Sequence, residues 1–201
     1  MALLYIKIPF TKVRVSIFAV ILILSLFYAD FSVYTAIIII SAALHEVGHI
    51  VFMKAFGVEI YGITILPTGA VIRSNAASLP YSREIAVDAG GIIFNLVSSL
   101  AALAANLILH DSYSLFFYFC GTLLAAVNAL PIKTLDGGRI ATAILSSRLG
   151  VDSAQRYVEA ISYISFVALT FASLWLLTVT GCNFSLIVLT VYIFICAYAK
   201  E

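Results

Sequence analysis

The chain has 201 residues, of which 63% are hydrophobic and 10% charged, with a net charge of +1 and a mean hydropathy of +1.12. So few polar side chains cannot cover a water-exposed globule, which excludes a soluble domain and makes lipid the solvent for most of the chain. No basic run of the kind that binds nucleic acid is present, and Cys120, Cys182 and Cys196, odd in number and without CxxC spacing, read as packing residues.

A hydrocarbon core about 30 Å thick takes ~20 apolar residues per helix, which leaves room for roughly five or six spans. Lys7, Lys12 and Arg14 precede the first apolar run as in a secretory signal, but Phe27-Tyr28-Ala29 is a poor cleavage site. A second apolar run follows at once, so an uncleaved first span is predicted over 14–29. Further spans are predicted near 32–56, 83–109, 113–131, 156–180 and 183–199. Tight hairpins at Asp30, at His110-Asp111-Ser112 and at Gly181-Cys182-Asn183 pair them off.

Residues 57–82 differ from their surroundings. Gly57, Gly62, Pro67, Gly69 and Pro80 punctuate the segment, and Ile60, Ile63, Ile65, Val71 and Ile72 flank a Pro67-Thr68-Gly69 turn, the pattern of a β-hairpin. Non-helical backbone near lipid must be buried in protein or line a wet cavity, so the hairpin is expected against the helices, either as an ordinary loop or as an edge strand that receives an extended substrate. The expected fold class is an all-α polytopic membrane protein of about six transmembrane helices with a small membrane-associated β-hairpin or sheet after the second span. Residues 1–201 are expected to form a single domain. With the N-terminus cytoplasmic, all 11 Lys and Arg fall on the inner side, as the positive-inside rule requires, which predicts a multi-pass cell-membrane protein with both termini cytoplasmic.

The second span carries His45-Glu46-Val47-Gly48-His49. Residues four apart share a helix face, so both imidazoles can reach one ion with Glu46 beside it, and Zn2+ suits two imidazoles in a site that needs no redox chemistry. A carboxylate placed like Glu46 can take a proton from a metal-activated water and hand it to a leaving amine. The pattern arises by chance in roughly one shuffled chain per thousand, and ionisable residues inside a span mark function by default. The helix rise of about 1.5 Å per residue puts His45 ~20 Å along a span that starts at Ser32, in the inner third of the bilayer. A third ligand is open among Glu59, Glu84, Asp88, Asp136, Asp152 and Glu159. Asp136 is distinguished by Pro131 before it and Gly137-Gly138 after it, a context that also fits a helix cap or turn.

Taken with Asn128-Ala129-Leu130-Pro131 and Leu135-Asp136-Gly137-Gly138-Arg139 downstream, the His45–His49 motif resembles the site-2 protease family of intramembrane zinc metalloproteases, peptidase family M50. The resemblance runs from the second span to about residue 148 and is nearest to the compact bacterial sporulation-type branch that processes a sigma-factor precursor. It implies that His45, His49 and Asp136 ligate zinc, that Glu46 activates water, and that Asn128 positions the substrate or stabilises the oxyanion. Ile65-Leu66-Pro67-Thr68-Gly69 resembles the family's membrane-associated hairpin, and Gly91-Ile92-Ile93-Phe94-Asn95 its Gly-Pro-x-x-Asn segment. Ile92 replaces the usual proline there, and Lys133-Thr134 replaces residues more often small or proline. No nucleotide-binding (CBS) or PDZ regulatory domain is expected.

The expected function is a zinc metalloendopeptidase acting on membrane-associated or transmembrane proteins near the cytoplasmic face, with the bilayer and inhibitory or regulatory membrane proteins as partners. Two rivals are a zinc transporter, which needs charged or His residues along several spans, and an inactive scaffold relative, against which an intact Glu46 argues.

Overall fold

A computed structural model describes residues 5–7, 13–66, 69–75, 79–181 and 185–198. It divides into two compact units, residues 1–126 and 127–201.

The first unit contains strands β1 (Tyr5–Lys7), β2 (Val13–Ser16), β3 (Ile60–Leu66) and β4 (Gly69–Ser74), and helices α1 (Ile17–Ala29), α2 (Val33–Ala55), α3 (Tyr81–Leu109) and nearly all of α4 (Ser112–Asn128). The expected hairpin is present, with β3 antiparallel to β4 and Ile65 opposite Ala70. It belongs to a larger sheet than expected. The order is β1-β2-β3-β4, with β2 parallel to β3, so β1 and β4 are the edge strands among the described residues. Residues 14–16, assigned by sequence to the first span, are therefore strand: Val13 and Val15 pair with Ile63 and Ile65. Helix α1 begins only after buried Ser16, whose hydroxyl accepts the Phe18 N–H at 3.3 Å. Of the predicted turn, Pro67 and Thr68 lie outside the described residues, as do Cys182, Asn183, Lys12 and Lys200.

Helix α2 ends in a Schellman motif. Gly57 takes the left-handed conformation (φ 71°), its N–H donates to Lys54 O, and the Val58 N–H donates to Met53 O. The hydrophobic contact that accompanies this motif is also formed: Met53, Val58 and Val87 make one buried cluster, against which Ile60 and Ile72 of the hairpin pack. The end of α2 thus turns the chain directly into β3 and seats the sheet on α2 and α3.

The turn from α3 to α4 is equally specified. His110 caps α3 in the left-handed region, and Asn106 Nδ2 donates to Asp111 O at 2.6 Å. Asp111 caps α4, accepting the N–H groups of Tyr113 and Ser114, both at 2.9 Å, and the Ser114 hydroxyl at 2.6 Å. The Ser114 hydroxyl and N–H hold the Asp111 carboxyl below its ordinary range.

Burial runs opposite to that of a water-soluble protein. Ser41, Asp88, Asn95 and Ser99 are buried on α2 and α3, whereas Ile108 and Trp175 are 80% and 68% exposed. This is the pattern of helices whose apolar faces meet lipid and whose polar and small residues meet one another. Val33–Ala55, Tyr81–Leu109 and Val151–Thr180 are long and apolar enough to cross a membrane, and Ile17–Tyr28, Ser112–Asn128 and Leu186–Ile195 are shorter apolar helices.

Helices α2 and α3 meet where neither has a side chain. A Cβ on Gly48 would overlap the Gly90 carbonyl and stand 2.9 Å from Phe94 Cβ, and a Cβ on Gly90 would stand 2.8 Å from Gly48 O. The small residues let the two backbones touch.

The second unit contains the end of α4, then α5 (Asp136–Leu149), α6 (Val151–Thr180) and α7 (Ser185–Tyr198). Residues 131–155, between the spans predicted near 113–131 and 156–180, hold α5, which is joined to α6 through the single residue Gly150. Its core is Ile132, Phe166, Ile193 and Ala197, with Val127, Leu130 and Leu135 packed against it.

Gly48→Val is predicted to destabilise the protein by about 1–3 kcal/mol, because a branched side chain at the α2–α3 contact must push two backbones apart. Thermal unfolding of the full chain in detergent measures it; an unchanged midpoint would contradict the close-contact account.

Candidate metal centre

His45 and His49 sit one turn apart on the buried face of α2, with 7% and 8% of their surface exposed. Their Nε2 atoms face each other at 3.2 Å. Two nitrogens bound to one tetrahedral zinc at about 2.0–2.1 Å stand ~3.3 Å apart, so the pair is spaced as two ligands of one ion.

Helix α3 makes this geometry possible in two ways. First, Gly91 supplies room: a Cβ there would lie 2.5 Å from His49 Nε2 and 2.6 Å from His45 Cε1. Second, α3 supplies hydrogen-bond partners for the far sides of both rings. His49 Nδ1 lies 2.8 Å from Val87 O, and a carbonyl only accepts, so Nδ1 carries the proton and Nε2 offers its lone pair to a metal. His45 Nδ1 lies 3.2 Å from the side-chain amide of Asn95, which is wholly buried. Donor types, spacing and the ring-orienting contacts therefore all fit zinc.

Glu46, half-buried and next to His45, projects toward the hairpin. Its Oε1 accepts the Ala70 N–H of β4 at 3.0 Å, and a Cβ on Gly69 would lie 3.0 Å from the same oxygen. The carboxylate beside the histidines is thus held by backbone at the start of the edge strand.

In the second unit, Asp136 is the first residue of α5 and is buried, with 7% of its surface exposed. Gly137 and Gly138 explain its setting. A Cβ on Gly137 would overlap Ala129 O and stand 2.6 Å from Leu130 O, and one on Gly138 would overlap Ile132 O and stand 2.8 Å from Lys133 Cα. The 129–135 segment folds back onto the first turn of α5 because both positions lack side chains. Ser162 of α6 holds the same segment, accepting the Lys133 N–H at 3.0 Å. A helix N-terminus favours an anion, so Asp136 is a carboxylate fixed in an electropositive setting. Asn128 is half-buried and closes α4. Among the other carboxylates weighed from sequence, Asp88 is buried on α3, Glu84 lies in the first turn of α3, Asp152 in the first turn of α6, and Glu159 faces Lys133 at 3.9 Å. Cys120 is free.

Comparison with known proteins decides the lineage. The model of the family described as Peptidase family M50 matches residues 33–111 and 104–172. The chain belongs to the site-2 protease family, peptidase family M50. Among its relatives is a zinc metalloprotease of Methanocaldococcus jannaschii, 29% identical over 119 residues, which are 57% of this chain and 34% of that protein. Another is stage IV sporulation protein FB of Bacillus subtilis, 29% identical over 116 residues, 56% of this chain and 40% of that protein. These matches span less than half the length of either relative. A solved site-2 protease from Methanocaldococcus jannaschii shares the fold, with a TM-score of 0.70 at 20% identity, over 99% of this chain and 95% of the other.

Sequence reasoning assigned no role to Val87, Ala70 or Gly91, and it quoted Asn95 only within a family segment. A glycine pair and an asparagine inside an apolar span are a readable signal of close helix contact and a buried polar partner. The Val87 and Ala70 contacts use backbone atoms, which leave no mark in sequence.

Gly91→Ala is predicted to weaken zinc binding by roughly 10-fold or more, since the added methyl occupies space used by both rings. Competition with a chelator on the purified full chain measures it, and native affinity in the variant would contradict the crowding account.

Proposed function

We propose that this protein is a zinc-dependent intramembrane endopeptidase, in which residues 1–201 work as one metalloprotease domain on membrane-associated protein segments. The observation that carries the proposal is the pair of facing Nε2 atoms at 3.2 Å, oriented by α3 and flanked by Glu46. His45, His49 and Asp136 are three buried donors, two imidazoles and a carboxylate, the ligand set of a hydrolytic zinc that keeps one position open. When bound there, zinc supplies a Lewis acid that lets water lose a proton near neutral pH and polarises the scissile carbonyl.

Glu46 is the base that takes this proton and delivers it to the leaving amine. Its hydrogen bond from Ala70 keeps the carboxylate aimed from α2 toward the hairpin. Strand β4 is an edge of the sheet among the described residues, and it starts at the carboxylate, which supports docking of an extended substrate by strand addition along β4. A transmembrane helix hides its amide bonds in its own hydrogen bonds, so unwinding onto an edge strand is also what makes such a bond open to attack. Asn128 serves to position the substrate or stabilise the oxyanion. The all-inner distribution of Lys and Arg supports a multi-pass arrangement with cytoplasmic termini and hydrolysis near the cytoplasmic face. The relatedness to a sporulation protein favours release of a regulatory protein such as a sigma factor as the physiological outcome, with membrane proteins as regulators.

Glu46→Gln is predicted to lower cleavage of a co-expressed membrane substrate by ~100-fold or more while zinc content stays at the native level. Cleavage at the native rate would remove Glu46 as the base. Asp136→Ala is predicted to lower the zinc content of the purified protein, measured by atomic absorption; native stoichiometry would remove Asp136 from the ligand set. A zinc transporter would retain transport in Glu46→Gln and show no substrate cleavage in the native chain.

A further inference from the structure

We infer that Lys133 is a positioning residue for Asp136: pinned to the ring of Tyr198, it latches the 129–135 segment onto α6 and α7 and so holds the carboxylate that follows. The inference rests on the zinc reading of Asp136 and concerns contacts within the second unit alone.

The segment has little regular structure of its own. Between α4 and α5 it makes short turns, with Ile132 N–H donating to Leu130 O and Leu135 N–H to Ile132 O, both at 2.8 Å. Ile132, Leu130 and Leu135 hold it in the core of the unit, but apolar burial is non-directional and leaves the segment free to slide. Lys133 supplies the directed contacts. Its backbone N–H donates to Ser162 Oγ on α6 at 3.0 Å, and that hydroxyl lies 2.7 Å from the Val158 carbonyl. Its side chain reaches α7, where Nζ stands over the Tyr198 ring, 4.2 Å from the centroid.

The ring is itself fixed. It stacks on Tyr163 with centroids 5.1 Å apart, and the rings of Phe166 and Phe194 stand at 5.7 and 5.1 Å. Two partners compete for the ammonium. Glu159 Oε1 lies 3.9 Å away on a side chain that is 50% exposed, so water screens that pair. A cation over a ring face is held more strongly as it loses water, and the Lys133 side chain is only 32% exposed. The ring, more than the carboxylate, is therefore the anchor.

The latch is passed on to Asp136 through backbone. A Cβ on Gly138 would stand 2.8 Å from Lys133 Cα, so Lys133 and the first turn of α5 cannot move independently. Opening the latch leaves only a fraction of chains with Asp136 in the ligating position, and the apparent zinc affinity falls by that fraction.

The test uses the full chain in detergent with two readouts, hydrogen exchange over residues 129–139 by mass spectrometry and zinc affinity by chelator competition. Lys133→Met keeps the apolar stem and removes the charge; it is expected to speed exchange in the segment and weaken zinc binding, each ~3–10-fold. Tyr198→Leu is expected to do the same, and the double variant no more, because both remove one interaction. Tyr198→Phe and Lys133→Arg keep the ring face and the charge and are expected to stay within ~2-fold of native, as is Glu159→Gln, a pattern that a merely space-filling role would not produce. Native zinc affinity in Lys133→Met, or Tyr198→Phe as weak as Tyr198→Leu, overturns the inference. If Tyr198→Leu does not fold, the contrast of Lys133→Met with Lys133→Arg decides. A native chain that takes up no zinc, while exchange still responds to Lys133→Met, overturns the zinc reading and leaves the latch standing.

Discussion

The close contact of α2 and α3 at Gly48, Gly90 and Gly91 is the constraint on which the candidate centre depends. Two imidazoles four residues apart on a helix share a face, but their rings have many rotamers, and only an adjacent surface can choose among them. With Gly48 against Gly90, the α3 backbone comes near enough for Val87 O to accept the hydrogen bond of His49 Nδ1–H and for Asn95 to meet His45. Gly91 leaves the space the rings occupy. A bulkier contact would separate the helices and release both imidazoles from the partners that set their orientation and tautomer.

Lipid as solvent explains why this contact is built from small and polar residues. Apolar side chains gain little by leaving hydrocarbon, so helices in a bilayer associate through backbone proximity and hydrogen bonds. Ser41, Asn95 and Ser99 are buried here, while leucines and isoleucines of the same helices face outward. The second unit applies the same device differently: Gly137 and Gly138 admit the 129–135 backbone onto the first turn of α5 and so fix where Asp136 stands within that unit.

Sequence disclosed what is local and periodic. The His45–His49 motif on a buried helix face follows from four-residue spacing, and the β3–β4 hairpin follows from β-branched residues around a proline-glycine turn. Strands β1 and β2 were hidden because Val13 and Val15 continue into an apolar run, and their pairing with Ile63 and Ile65 is set some fifty residues away. Helix α5 was hidden because Asp136, Gly137, Gly138 and Arg139 carry the chemistry of a turn, and what makes the segment helical is packing of the preceding loop against its glycines. The hydrogen bond from Ala70 to Glu46 depends on a backbone N–H, which any residue but proline would offer.

Zinc-edge X-ray absorption on the purified full chain tests the central claim most directly. The account predicts one zinc per chain in a four-coordinate shell of nitrogen and oxygen at about 2.0–2.1 Å, with outer-shell scattering from two imidazoles. A chain that retains no zinc, a sulfur ligand at about 2.3 Å, or a shell without two imidazoles would contradict it.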